Sequence, residues 1–186
     1  QELNYCLQHD IQTLCMNDED YPQRLRECVD APLLLYFRGN TKLNARHTIN
    51  LVGTRHCTPY GQDIIRLFIK ELKALCTDVL IFSGLAYGVD IHSHRAALEN
   101  GFDTVGVLAN GLDDLYPRGH QETALKMIKQ GGLLTEYMTH TQPIARNFVQ
   151  RNRIVAGCSD ATILIESAAK GGGLITCGIA RSYGRE

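Results

Sequence analysis

No stretch of the 186 residues reaches the ~18 consecutive apolar residues that a membrane-spanning helix requires, and no signal-peptide pattern stands at Gln1. A soluble protein without a membrane partner is expected. The seven cysteines, at 6, 15, 28, 57, 76, 158 and 177, include no C-x-x-C pair and are odd in number. That spacing argues against a disulfide framework and a zinc ribbon. Small buried or half-buried thiols in a reducing cytoplasm are the expectation. Charge of neither sign is in excess: the net charge is −1, which neither demands nor excludes a polyanionic partner. There is no internal repeat and no low-complexity tract. With 44% apolar residues, a chain of this length buries roughly 70% of its unfolded surface without staples.

From residue 48 onward, apolar runs alternate with amphipathic stretches. The runs are Ile49–Val52, Val79–Phe82, Thr104–Leu108, Leu133–Thr135 and Ala161–Ile165. Thr58-Pro59 supplies a capping hydroxyl and a proline at the first helical position. Ile65, Phe68, Ile69, Leu72 and Leu75 then share one helical face. Asp90 is expected to cap a second helix that stops near Asn100-Gly101. A third covers about His120 to Gln130 and stops at Gly131-Gly132. A fourth spans about Arg146 to Ala156, and a fifth runs from near Gly173 to Tyr183-Gly184. Strand–helix alternation with short connections predicts an α/β fold: a doubly wound, mostly parallel, Rossmann-like sheet over residues 46–186. Residues 1–45, broken at Tyr21-Pro22 and Ala31-Pro32, are expected to form an N-terminal extension packing on the sheet, with Leu33–Phe37 as an extra strand.

Ligands of such sheets sit at the carboxyl ends of the strands, so the post-strand loops carry the function. The dinucleotide fingerprint G-x-G-x-x-G is missing: the first loop reads Gly53-Thr54-Arg55-His56-Cys57-Thr58, and the second strand ends in Ser83-Gly84 instead of an acid. A kinase-type P-loop is missing too, because Lys170 precedes Gly171-Gly172-Gly173 and no G-K-[ST] follows. Several glycine-rich loops do aim at helix starts, with Arg55 and Lys170 beside them, which is a pattern suited to phosphate. His92 and His94 lie two apart, so a helix points them in different directions. No H-E-x-x-H or nearby cysteine completes a metal site. A histidine packed under the loop is the expectation, with no cofactor and no catalytic metal. In "ARNFVQRNRIVAG", three arginines (146, 151, 153) surround Phe148, and no acid occurs between Tyr137 and Ser159. Cations along a backbone with a ring for a base suit single-stranded nucleic acid. A helix with a buried Phe and a solvated basic face has the same composition.

The stretches "YPQRL", "LYFRGN", "VGTRHCTPYG", "FSGLAYGVDIHSHRAAL", "VLANGLDDLYP", "FVQRNRIVAG" and "ESAAKGGGLIT" follow one another in a family order. On them the chain resembles the DprA/Smf family of DNA-processing proteins over about residues 11 to 185. The resemblance implies binding of single-stranded DNA without chemical turnover. In naturally transformable bacteria it further implies protection of incoming DNA and loading of the RecA recombinase. Carried onto this sequence, the phosphate site would comprise Gly53, Thr54, Arg55, Ser83, Gly84, Lys170, Gly171, Gly172, Gly173 and Leu174. Phe148 would stack on a base, and Arg151, Asn152 and Arg153 would sit at the pocket or brace it. A homodimer through the last helix is also implied.

Two departures stand out. The family usually carries a hydroxyl where Gly172 or Gly173 stands, which puts one side-chain contact in doubt. Its members also usually continue past Gly184-Arg185 into another strand, so the chain is expected to be a central domain truncated at its C-terminal end. The rival reading is an enzyme similar to the lysine-decarboxylase-like family that hydrolyses nucleoside monophosphates. That family's P-G-G-x-G-T-x-x-E loop compares with Lys170–Gly178 here, where the acid is missing. Glu166 and Asp90 are the remaining carboxylates that could serve.

Overall fold

The computed structural model describes residues 1–186. Its strands are β1 (Gln12–Cys15), β2 (Leu34–Gly39), β3 (His47–Val52), β4 (Val79–Ser83), β5 (Thr104–Val107), β6 (Gly131–Thr135) and β7 (Ala161–Leu164). Its α-helices are α1 (Glu2–Gln8), α2 (Gln23–Arg26), α3 (Pro59–Leu75), α4 (Val89–Glu99), α5 (Gln121–Lys129), α6 (Ala145–Gly157) and α7 (Gly172–Ser182). The strands form one sheet in the order β1-β2-β6-β5-β4-β3-β7. β6, β5, β4, β3 and β7 run parallel. β1 and β2 add antiparallel at the β6 edge. This is the doubly wound, mostly parallel α/β sheet that the alternation predicts, extended by the N-terminal segment.

Alternate residues of each strand feed opposite faces. Leu80 and Phe82 of β4 join Ile154 and Val155 of α6 in one core. Val79 and Ile81 of the same strand join Ile65 and Ile69 of α3 and Ala96 and Ala97 of α4 in another. Burial on both faces is why these strands read as continuous apolar runs. Beginning at β3, the chain steps outward through β4, β5 and β6, then returns over α6 to β7 on the other side of β3. The strand order therefore reverses at β3, and the crevice at its carboxyl end is the position such sheets use for ligands.

Local signals hold with three corrections. Thr58 caps α3, accepting the Gly61 N–H at 3.1 Å, with Pro59 in the first turn. Leu75, expected on the buried face, is 86% exposed at the last residue of α3. Gly131-Gly132 is not a helix stop but the start of β6. Gly131 has φ +130, and a Cβ there would lie 2.0 Å from the Thr104 carbonyl of the neighbouring strand. Close strand approach, not helix termination, is what these glycines serve. Finally, α4 is capped by Gly88 (φ 77), and Asp90 sits inside its first turn.

Candidate nucleic-acid interface

The loop after β3 is tied on both sides. The Thr54 N–H donates to the Glu166 carbonyl at 2.6 Å, and the Thr54 carbonyl accepts from the Val89 N–H at 3.1 Å. With its backbone fixed, the loop projects Arg55 outward. The Arg55 guanidinium stands 5.2 Å from the centre of the Phe148 ring. Phe148 is half-buried, and Tyr116 meets it edge-on, with ring centres 6.0 Å apart at 61°.

The loop after β4 is built around Gly84. A Cβ at that position would lie 2.1 Å from Arg151 Nη1 and 2.3 Å from Asp90 Oδ2, so only glycine lets these two side chains approach. Arg151 is 5% exposed and donates through Nη1 to the Val107 carbonyl, while its Nε has no partner. Asp90 accepts from the Ala86 N–H at 3.3 Å. Burial raises the Asp90 carboxyl above its ordinary value against the pull of Arg151, and burial lowers the Arg151 guanidinium against the pull of Asp90. Beneath the loop, His94 bridges the Gly84 carbonyl (Nε2, 2.5 Å) and Thr104 Oγ1 (Nδ1, 2.7 Å). A carbonyl only accepts, so Nε2 carries the proton of the neutral ring, and the single Thr104 hydroxyl proton is shared between Nδ1 and the Ile81 carbonyl at 2.9 Å. Burial pushes His94 down to about 4 and keeps it neutral. It is the packed, hydrogen-bonded histidine that the sequence suggests.

A cleft of about 120 Å³ opens between these parts. The β3 loop contributes Gly53 and Arg55, the β4 loop contributes Gly84, Ala86 and Tyr87, and the first turn of α4 contributes Asp90. α6 contributes Phe148, Arg151 and Asn152, and the first turns of α7 contribute Gly172, Gly173, Ile175 and Thr176. The N-terminal ends of α4 and α7 both lie here, and the positive ends of their dipoles favour an anion; the Val89 N–H of α4 is already held by the Thr54 carbonyl.

The sequence profile of the DNA recombination-mediator protein A family matches residues 12–186. The chain belongs to that family. It is 37% identical over 169 residues to the DNA processing protein DprA of Streptococcus pneumoniae, covering 91% of this chain and 59% of the relative. It is 38% identical over 173 residues to the protein Smf of Escherichia coli, covering 91% of this chain and 45% of the relative. The chain thus spans about half the length of the curated relatives it matches. The solved S. pneumoniae DprA superposes with a TM-score of 0.90 at 33% identity, over 100% of this chain and 65% of that one. The Helicobacter pylori DNA processing protein A, whose structure concerns a single-stranded DNA binding mode, superposes with a TM-score of 0.83 at 30% identity. That match covers 94% of this chain and 78% of that one.

Of the residues that membership of the DprA/Smf family brings to attention, Gly53, Arg55, Gly84, Phe148, Arg151, Asn152, Gly172 and Gly173 line the cleft. Thr54 and Ser83 do not; they hold the loops from below, and the buried Ser83 hydroxyl donates to the Leu51 carbonyl at 2.6 Å. Arg153 turns away from the cleft to pair with Glu136 and, at 4.0 Å, with Asp30. Positions 151 and 153 cannot share a helix face, which is why one arginine enters the cleft and the other braces the far side of α6. Lys170 is exposed on the loop before α7 and lies outside the lining, as do the half-buried Gly171 and the exposed Leu174 of α7. Sequence reasoning missed Tyr87, Ile175 and Thr176. Thr176 carried a readable signal, since it lies one helical turn after Gly172.

Both carboxylates of the enzyme reading are accounted for. Glu166 accepts from the Thr58 N–H at 2.9 Å and the Thr58 hydroxyl at 2.7 Å, and these bonds hold it below its ordinary value. It is a brace at the start of α3, not a cleft residue. Asp90 lines the cleft from behind Gly84, buried against Arg151.

Proposed function

We propose that this chain binds single-stranded DNA in the cleft, through phosphate contacts and base stacking and without reading sequence. The observation that carries the reading is the Arg55–Phe148 pair standing at the mouth of a glycine-walled cleft where two helix N-termini open. Phosphate contacts position a strand but carry no base information, so affinity should vary little with sequence. Duplex DNA fits poorly, because paired bases reach the ring only by unstacking. Turnover is not part of the proposal. A glycosidic cleavage needs a carboxylate free to act on water or on the sugar, and Glu166 is engaged by Thr58 while Asp90 faces Arg151.

In the cell we place the protein in the cytoplasm, where it protects incoming single strands and passes them to the RecA recombinase. The H. pylori relative's single-strand binding and the family's recombination-mediator description support this assignment. No helix is long and apolar enough to cross a membrane. We read residues 46–186 as the DNA-binding domain and 1–45 as its extension. A homodimer through α7 completes the proposal; Leu174 and Ile175 on that helix are 40% and 45% exposed. The test is fluorescence anisotropy with a single-stranded oligonucleotide and the same-length duplex across a salt series. Tighter single-strand binding with a negative log–log salt slope is expected. Equal affinity for both forms would reject the reading.

A further inference from the structure

Two further aromatic rings stand beside the cleft, and the stacking of one base on Phe148 uses neither. Tyr87 lines the cleft and is 54% exposed; Tyr116 is 42% exposed. Both belong to one surface. Tyr116 meets Phe148 edge-on, while Tyr87 packs at 67° against His120, ring centres 4.6 Å apart. His120 is itself buried and fixed by a 2.8 Å bond between its Nδ1 and the Leu85 carbonyl, so Tyr87 rests on a rigid support. Its hydroxyl lies 3.6 Å from where a Cβ on Gly119 would be, next to the segment that carries Tyr116. The rings are therefore held by the framework from one side and open to solvent on the other.

The charge around them suits a polyanion. Arg55 stands over Phe148, and Arg118 follows Tyr116-Pro117, exposed and with no carboxylate partner. Of the two carboxylates in this loop, Asp113 is held by the His140 N–H at 2.9 Å, and Asp114 is exposed two residues ahead of Tyr116.

We propose that Tyr87 and Tyr116 form a second stacking platform that carries the DNA strand onward from Phe148, with Arg118 on its phosphates. This rests on the single-strand reading and lengthens its site by one or two nucleotides. Every base has a π-face, so a platform of this kind adds affinity without sequence preference.

The experiment titrates the full chain with labelled oligothymidylates of graded length, from a trinucleotide to a dodecamer. It compares the parent, Tyr87→Ala/Tyr116→Ala and Tyr87→Phe/Tyr116→Phe. The alanine pair should lose more affinity for the long oligomers than for the trinucleotide, the extra loss being roughly five- to a hundred-fold. The phenylalanine pair, which keeps the rings, should restore parental affinity at every length. Parental binding of long oligomers by the alanine pair would overturn the platform while leaving the Phe148 cleft in place. So would equal weakening at all lengths, which would make the tyrosines part of the first site. If the parent binds no oligothymidylate, the single-strand reading falls and the platform with it.

Discussion

Replacing Phe148 by alanine separates a DNA contact from a core residue. A fully buried phenylalanine truncated to alanine costs about 3–5 kcal/mol of stability. Phe148 is only half-buried, and its named neighbours are Arg55 and Tyr116. The cation–π contact is worth about 0.5–1 kcal/mol and the edge-on aromatic pair about 0.5–1.5 kcal/mol. The expected loss is therefore about 1–2.5 kcal/mol, a fall in Tm of roughly 2–10 °C for a chain of this size. Binding should suffer more. Loss of one stacked base removes about 1–3 kcal/mol, so single-stranded DNA should bind roughly five- to a hundred-fold more weakly. Circular dichroism melts and anisotropy on the same preparation measure both. A fall in Tm well beyond 10 °C with unchanged DNA affinity would place Phe148 in the core and refute the stacking role.

Gly84→Ala pushes a methyl into Arg151 Nη1 and Asp90 Oδ2; such overpacking costs about 1–3 kcal/mol, and a variant that melts and binds like the parent would contradict the tight approach. Arg55→Ala should flatten the log–log salt slope of single-strand binding by about 0.7, the contribution of one phosphate contact, and Lys170→Ala by the same amount if the strand passes the mouth of the α7 loop. His94 is neutral in the fold, at about 4 against an ordinary 6.5, so the unfolded chain takes up its proton first as the pH falls. Its contribution is present above pH 6.5 and is lost on descending toward pH 4, by up to about 3 kcal/mol. Chemical denaturation across that window should show the decline in the parent and a flatter profile in His94→Gln. Leu174→Glu should weaken self-association in sedimentation if α7 forms the dimer face.

Much of the fold was legible because periodicity reports burial directly. Continuous apolar runs marked the parallel strands, and Thr58-Pro59 marked the start of α3. The failures have a common cause: a residue type was read without its neighbours. Gly131-Gly132 looks like a helix stop in one dimension, yet Gly131 is crowded by Thr104 of β5 and Gly132 by Phe37 of β2. Asp90 looks like a cap, yet Gly88 with φ 77 takes that position and Asp90 turns inward toward Arg151. The basic helix was the hardest case. In sequence its three arginines suited either a nucleic-acid strand or one solvated face, and the helix disperses them. Arg151 is buried beside Gly84, Arg153 pairs with Glu136 and Arg146 stays exposed. Asn147, though polar, is buried with its amide donating to the Ala109 and Gln142 carbonyls. The same two-apart rule that separates His92 from His94 separates Arg151 from Arg153. Tyr87 carried no signal in sequence, because an exposed tyrosine in a glycine-rich loop has no period to betray it.

The measurement closest to the central claim is photocrosslinking of a single-stranded oligonucleotide bearing iodouracil, followed by mass spectrometry of the attached peptides. Adducts should concentrate on the α6 segment holding Phe148 and on the Gly84–Gly88 loop holding Tyr87, and excess unlabelled single strand should abolish them while duplex does not. Efficient adducts confined to the opposite edge of the sheet, with Phe148 and Tyr87 unmodified, would contradict the account.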